Sequence, residues 1–193
     1  RCVYDEGRLR DRFAQETLKN RELSSQIMND AILFLDGEYW GFYQIMEKFD
    51  AEYFENHYGV SQKDVSVIKE NDLKDGKEED LEEYLDFMDE YSKKDLTDDN
   101  NYKKVEDYID FNSLIEHYAA GIYLGIADWP NHNTGVWRYN GEYDEDNIYT
   151  DGKWRLMTYD LDYTMGSAWR FSYYVKSYAF DNFGYIERGR NDA

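Results

Sequence analysis

Asp128-Trp129-Pro130-Asn131-His132-Asn133, followed after two β-like segments by Asp160-Leu161-Asp162-Tyr163-Thr164-Met165-Gly166, is the part of this sequence on which the fold turns. Ahead of it, Phe111 to Ala127 is apolar on nearly every side through Ile115, Tyr118, Ala119, Ile122, Tyr123, Leu124 and Ile126, as in a helix buried in a core. Pro130, the sole proline, follows at once and disfavours further helix, so a loop begins there. Thr134–Tyr139 and Lys153–Tyr159 then read as two strands, separated by an Asn-Gly turn and a polar excursion from 142 to 152. The order is buried helix, acidic loop, strand, strand, acidic segment.

Working outward, Leu9, Phe13, Leu18, Leu23 and Ile27 recur at near-helical spacing and predict an amphipathic opening helix. Ala31–Leu35, the Asp36-Gly37 pair and Gly41–Met46 predict a β-hairpin. Asp50 is placed to cap a short helix over 51–58 that Gly59 ends, and Val65–Lys69 reads as a strand. Residues 70–80 are charged, after which Leu81, Tyr84, Leu85, Met88 and Tyr91 form a helical stripe suited to packing. Asp95 to Asn101 reads as a solvated polar loop, since it lacks the Gly and Glu spacing of a calcium loop. A second helical region follows it.

Composition narrows the function. The 193 residues carry 22 Lys plus Arg against 42 Asp plus Glu, a net charge of -20, which leaves no basic surface for nucleic acid or anionic lipid. The 20 Tyr, 10 Phe and 5 Trp supply the large apolar surfaces that disordered chains lack. With Cys2 the lone cysteine, neither an intrachain disulfide nor a cysteine zinc cluster can form. No run of apolar residues is long enough to span a bilayer, so membrane insertion is not expected.

Two acidic segments flanking a strand pair suit phosphoryl transfer. That reaction needs an acceptor for a hydroxyl proton, and oxygen ligands holding Mg²⁺ against nucleotide phosphates. Protein kinases draw an Asp and, five residues on, an Asn from one catalytic loop, and a second Asp from beyond the next hairpin. Asp128 and Asn133 have that spacing, and Asp160 or Asp162 stands at the second position. Asp128 could instead cap a turn beside Pro130, and His132 offers an alternative general base or a hydrogen bond within the loop. Glu47 and Lys69 have plainer readings as surface charges.

Leu35-Asp-Gly-Glu-Tyr-Trp-Gly-Phe-Tyr-Gln-Ile-Met-Glu47-Lys-Phe-Asp50 resembles the pattern of the spore-coat-protein-H (CotH) kinase family: an Asn/Asp-Gly turn, an aromatic-Gly pair, then Tyr and Glu before Asp. Trp154-Arg-Leu-Met-Thr-Tyr-Asp160-Leu-Asp162-Tyr-Thr-Met-Gly166 resembles its second hallmark. The resemblance implies an α+β, divergent protein-kinase-like fold. An N-terminal lobe with a β-hairpin, about 1–72, would precede a mainly helical lobe, 73–193, carrying the catalytic loop and its hairpin. It further implies phosphorylation of protein Ser or Thr hydroxyls with ATP and Mg²⁺ or Mn²⁺.

By position, Asp128 is similar to the catalytic Asp, Asn133 to a metal ligand, and Asp160 to the metal-binding Asp, with Asp162 sharing or supporting that role. Lys69 is similar to the phosphate-contacting lysine, and Glu47 to its ion-pair partner or a nucleotide contact. Family members carry an Arg-Gly-Asn-Ser-type segment upstream and continue beyond the Asp-x-Asp motif, so the resemblance is to an incomplete domain. No Gly-x-Gly-x-x-Gly or Walker loop is present. An extracytoplasmic home is implied (spore coat, cell surface or a secreted polysaccharide-degrading assembly), with coat proteins or such an assembly as partners. The alternative is a non-catalytic kinase-like surface module that binds a protein or polysaccharide.

Overall fold

In a computed structural model of the chain, residues 7–126, 128–130 and 132–165 are described, so Cys2 and Gly166 lie outside them. The fold is α+β. Its centre is an antiparallel sheet of order β4-β3-β5-β6, built from β3 (Val65–Lys69), β4 (Asp72–Asp75), β5 (Thr134–Tyr139) and β6 (Arg155–Thr158). β5 pairs Gly135 with Lys69 of β3 and with Met157 of β6, so both neighbours end where β5 begins. Three chain segments therefore reach the same end of the sheet, and the segments bearing Asp128, Asn133, Asp160 and Asp162 adjoin it.

Alternation along the strands gives the sheet two working faces. Val65, Val67, Trp137 and Met157 bury one face against Phe49, Tyr53 and Phe54, the latter two on α2 (Ala51–Tyr58). Asp50 caps α2 through Tyr53 N and Gly59 closes it at φ 67°, as the sequence predicts. On the other face Ile68, Val136 and Trp154 pack with Leu81 and Tyr84 of α3 (Glu78–Tyr91) and Tyr108 of α4 (Asp99–Tyr108). A third cluster joins Ala14 and Leu18 of α1 (Arg10–Leu18) to Ala120 and Leu124 of α5 (Phe111–Leu124), and takes in Trp129 and Leu161 from the two acidic segments.

Several expectations need correction. The opening helix stops at Leu18, and its inner face is Asp11, Ala14, Gln15 and Leu18, while Leu9, Phe13 and Ile27 are exposed. Gln15 belongs inside because its amide donates to Thr158 O at 3.0 Å and accepts from Gln26 N at 2.9 Å. The charged stretch after Lys69 holds the edge strand β4, and α4 begins inside the segment read as loop. There Asp95 accepts from Thr97, and Asp98 accepts from Asn100 N and Asn101 N as the helix cap.

The hairpin forms as read, β1 (Met28–Leu35) against β2 (Glu38–Met46), with Asp36 and Gly37 both at positive φ. It is a separate two-stranded sheet. Ile32, Phe34, Tyr39 and Ile45 are each at least 60% exposed on it. Arg12 pairs with Asp30, and Arg8 donates to Phe42 O, holding the hairpin to the start of α1.

Candidate active site at the end of the central sheet

The loop after α5 is set by its ends. Gly125 at φ 63° closes the helix, its N–H bonded to Gly121 O and Ile122 O, and Asn133 at φ 59° turns the chain into β5. Asn tolerates the left-handed region better than most residues. Asn133 Nδ2 donates to Asp128 Oδ2 at 3.1 Å, so the two candidates spaced by Asp-x4-Asn meet directly. His132 N bonds Asp128 O at 3.0 Å, which closes the loop through its backbone. Trp129 leads into a cis peptide with Pro130 and buries its ring.

Asp128 is half-buried, and its second oxygen, Oδ1, is buried with no hydrogen-bond partner. Burial pushes its carboxyl above the ordinary Asp value and the nearby Asp160 carboxylate adds to this, against the opposing effects of its own backbone N–H, His132 and Asn133. Asp160, just past β6, is exposed and sits at φ 55°. Asp162 is buried, at 6% exposure, so the two carboxylates face different surroundings. The intervening Leu161 is in the core, its N–H bonded to Asp11 Oδ1 at 3.2 Å. Thr164 Oγ1 and Met165 N both bond Leu124 O at 2.8 Å, fastening the segment to the end of α5.

Lys69 ends β3 on the face it shares with Gly135 and Met157. Its ammonium lies 4.8 Å from the Tyr159 ring centroid and 5.3 Å from that of Phe49. Burial holds it below the ordinary Lys value, Lys48 and Lys74 press the same way, and Asp50 opposes them. Glu47 is not its partner. The Glu47 carboxylate bonds His57 Nε2 at 2.8 Å and accepts from Ile27 N at 2.8 Å, which ties the end of β2 to α2. Of the six candidates, Asp128, Asn133, Asp160 and Lys69 reach the same sheet end. Glu47 is engaged elsewhere.

The sequence reading missed three participants. Glu70 Oε1 accepts from Asn133 N at 3.0 Å, and Tyr159 donates its hydroxyl to Thr134 O at 2.9 Å, bracing the loop from both neighbouring strands. His117 of α5 bonds both Trp129 and Thr158. Tyr159 and His117 become visible only when the fold is known, because their partners lie on separate strands and loops. Glu70 alone had a signal, its place directly after Lys69.

Among the described residues no group of three His, Cys, Asp or Glu side chains forms a ready metal cage. The donor set nevertheless suits a hard cation that keeps several waters and takes few protein ligands. Asp160 is exposed and Asn133 retains its amide oxygen.

The family model described as CotH kinase protein matches residues 2–192 of the 193. No curated protein matches the chain.

Proposed function

Proceeding from the membership of this chain in the CotH kinase protein family, we propose that it transfers phosphate from ATP to Ser or Thr hydroxyls of protein substrates, with Mg²⁺ or Mn²⁺, in a divergent kinase-like fold. The carrying observation is the convergence of the bonded Asp128–Asn133 pair, Asp160 and Lys69 at one sheet end.

Asp160 and Asn133 would hold the cation, with Asp162 supporting the turn that presents Asp160. When bound, the cation neutralises charge on the nucleotide phosphates. Asp128 takes the proton of the substrate hydroxyl as its oxygen bonds to the terminal phosphorus and the bond to the ADP oxygen breaks. Its raised affinity for protons suits it to that role. Lys69 is an ammonium laid on two aromatic rings, with no carboxylate ion pair among the described residues, and a phosphate would supply the missing countercharge. Glu47 serves by holding α2 to the hairpin. The N-lobe-like part, about 1–72, and the C-lobe-like part, 73–193, then contribute Lys69 and the acidic residues respectively.

The family's association with coats favours an extracytoplasmic setting, and no helix among the described residues is long and apolar enough to cross a membrane. A thermal melt with ATP plus Mg²⁺ or Mn²⁺ tests the reading, together with a phosphate-transfer assay. Metal-dependent stabilisation and transfer are expected, both lost in Asp160→Ala; transfer that persists in that variant sinks the assignment.

The exposed apolar hairpin favours a second reading, a non-catalytic surface module that binds a protein or polysaccharide. Binding that survives Asp128→Ala and Asp160→Ala, in a protein without transfer activity, supports it.

A further inference from the structure

Asp128 and Asp160 sit on irregular segments from different parts of the chain, and the Asp160 carboxylate adds to the electrostatic cost of charging Asp128. Something must hold them at a fixed separation. His117 lies in the middle of α5, 3% exposed, between the two segments. Its Nε2 is 2.8 Å from Trp129 Nε1, and its Nδ1 is 3.1 Å from Thr158 Oγ1. An indole N–H can only donate, so Nε2 is the acceptor and the neutral ring carries its proton on Nδ1, donating to the threonine. Burial favours this neutral form, lowering the imidazole to about 4.

Both ends of this chain of bonds are themselves fixed. The Trp129 ring packs 4.8 Å from Tyr118, centroid to centroid, and so close to Gly121 that a Cβ there would come within 2.7 Å of it. Thr158 gives its carbonyl to Gln15 Nε2 at 3.0 Å and its N–H to Ser24 O at 2.9 Å. Trp129 adjoins Asp128 in sequence, and Thr158 precedes Asp160 by two residues.

We infer that His117 is a positioning residue that fastens the loop bearing Asp128 to the strand end bearing Asp160, through Trp129 on one side and Thr158 on the other. The roles of the two aspartates rest on the kinase reading; the fastening does not.

The test uses the whole chain. Gln at 117 can keep an acceptor near the Nε2 position and Asn a donor near Nδ1, so His117→Gln and His117→Asn each retain one bond and lose the other. Both are expected to lower kcat roughly 10- to 100-fold, as small misplacements of reacting groups do, with KM for Mg·ATP within about threefold of the parent. Independently of activity, the indole N–H resonance of Trp129, assigned with Trp129→Phe, is expected to move in Thr158→Val and to return in Thr158→Ser. A Trp129 resonance unmoved by Thr158→Val overturns the inference, as does an unchanged kcat in both folded His117 variants. A moved resonance in a parent protein that transfers no phosphate leaves the fastening standing and removes the kinase reading.

Discussion

A buried neutral imidazole makes stability depend on pH in a direction that can be worked out. His117 has an ordinary value of 6.5 in the unfolded chain and about 4 when folded, so between those limits the unfolded state binds more protons. Its contribution is present above pH 6.5 and is lost as pH falls towards 4, by up to about 3 kcal/mol. Urea unfolding is expected to show a steeper acid loss in the parent than in His117→Phe, after both are normalised at pH 7.5. Asn133 carries three duties, a left-handed turn, the bond to Asp128 and a proposed cation ligand. Asn133→Ala is expected to cost about 1–2 kcal/mol from strain and the lost bond, and to reduce metal-dependent transfer at least ~100-fold, read by a melt and a transfer assay. Asp128, Asn133 and Asp160 were legible in the sequence because their order along the chain is itself the signal. The bond of Glu47 to His57 in place of an ion pair with Lys69 was not legible, because α2 folds back and brings His57 to it, a contact that no local pattern announces.

At the scale of elements, α5 and β5 owe their placement to missing side chains. A Cβ at Gly121 would meet the Trp129 ring at 2.7 Å, and one at Gly135 would meet Met157 Cε at 2.5 Å and Tyr159 at 3.1 Å. Gly121→Ala is expected to lower stability by about 1–3 kcal/mol, because the rigid indole has to shift. Gly135→Ala should cost less at Met157, a flexible tip, yet push Tyr159 from the Lys69 ammonium, so phosphate transfer should fall more than the melting temperature. β5 was read at its observed bounds because it is bracketed by Asn133 and the Asn140-Gly141 turn. α1 was overextended because the visible stripe of Leu9 and Phe13 faces solvent, while the buried face uses Ala14 and a bonded Gln15. β4 escaped notice because Asp72-Leu-Lys-Asp75 is a short charged edge strand, held by pairing with β3 and by the one apolar side chain, Leu73.

At the scale of the molecule, 42 acidic against 22 basic residues make self-repulsion a general cost of the folded state. Raising NaCl from about 10 mM to about 150 mM is expected to raise the melting temperature by screening it; an unchanged or lower value would show that local ion pairs such as Arg155–Asp110 outweigh the net field. The family could be read from two motifs, whereas the sheet order and its two packed faces depend on pairings between residues some seventy positions apart, such as Lys69 with Gly135. The hairpin stands apart from that sheet, a two-stranded ribbon with most of its apolar side chains in water. Ribbons of that kind are marginal by themselves. Its amide protons should therefore exchange with solvent through local opening long before those of β3 and β5, which wait for global unfolding. The molecule thus carries its own sequence of failure, in which the ribbon peels away first and the pairing of β3 with β5 is among the last to be released.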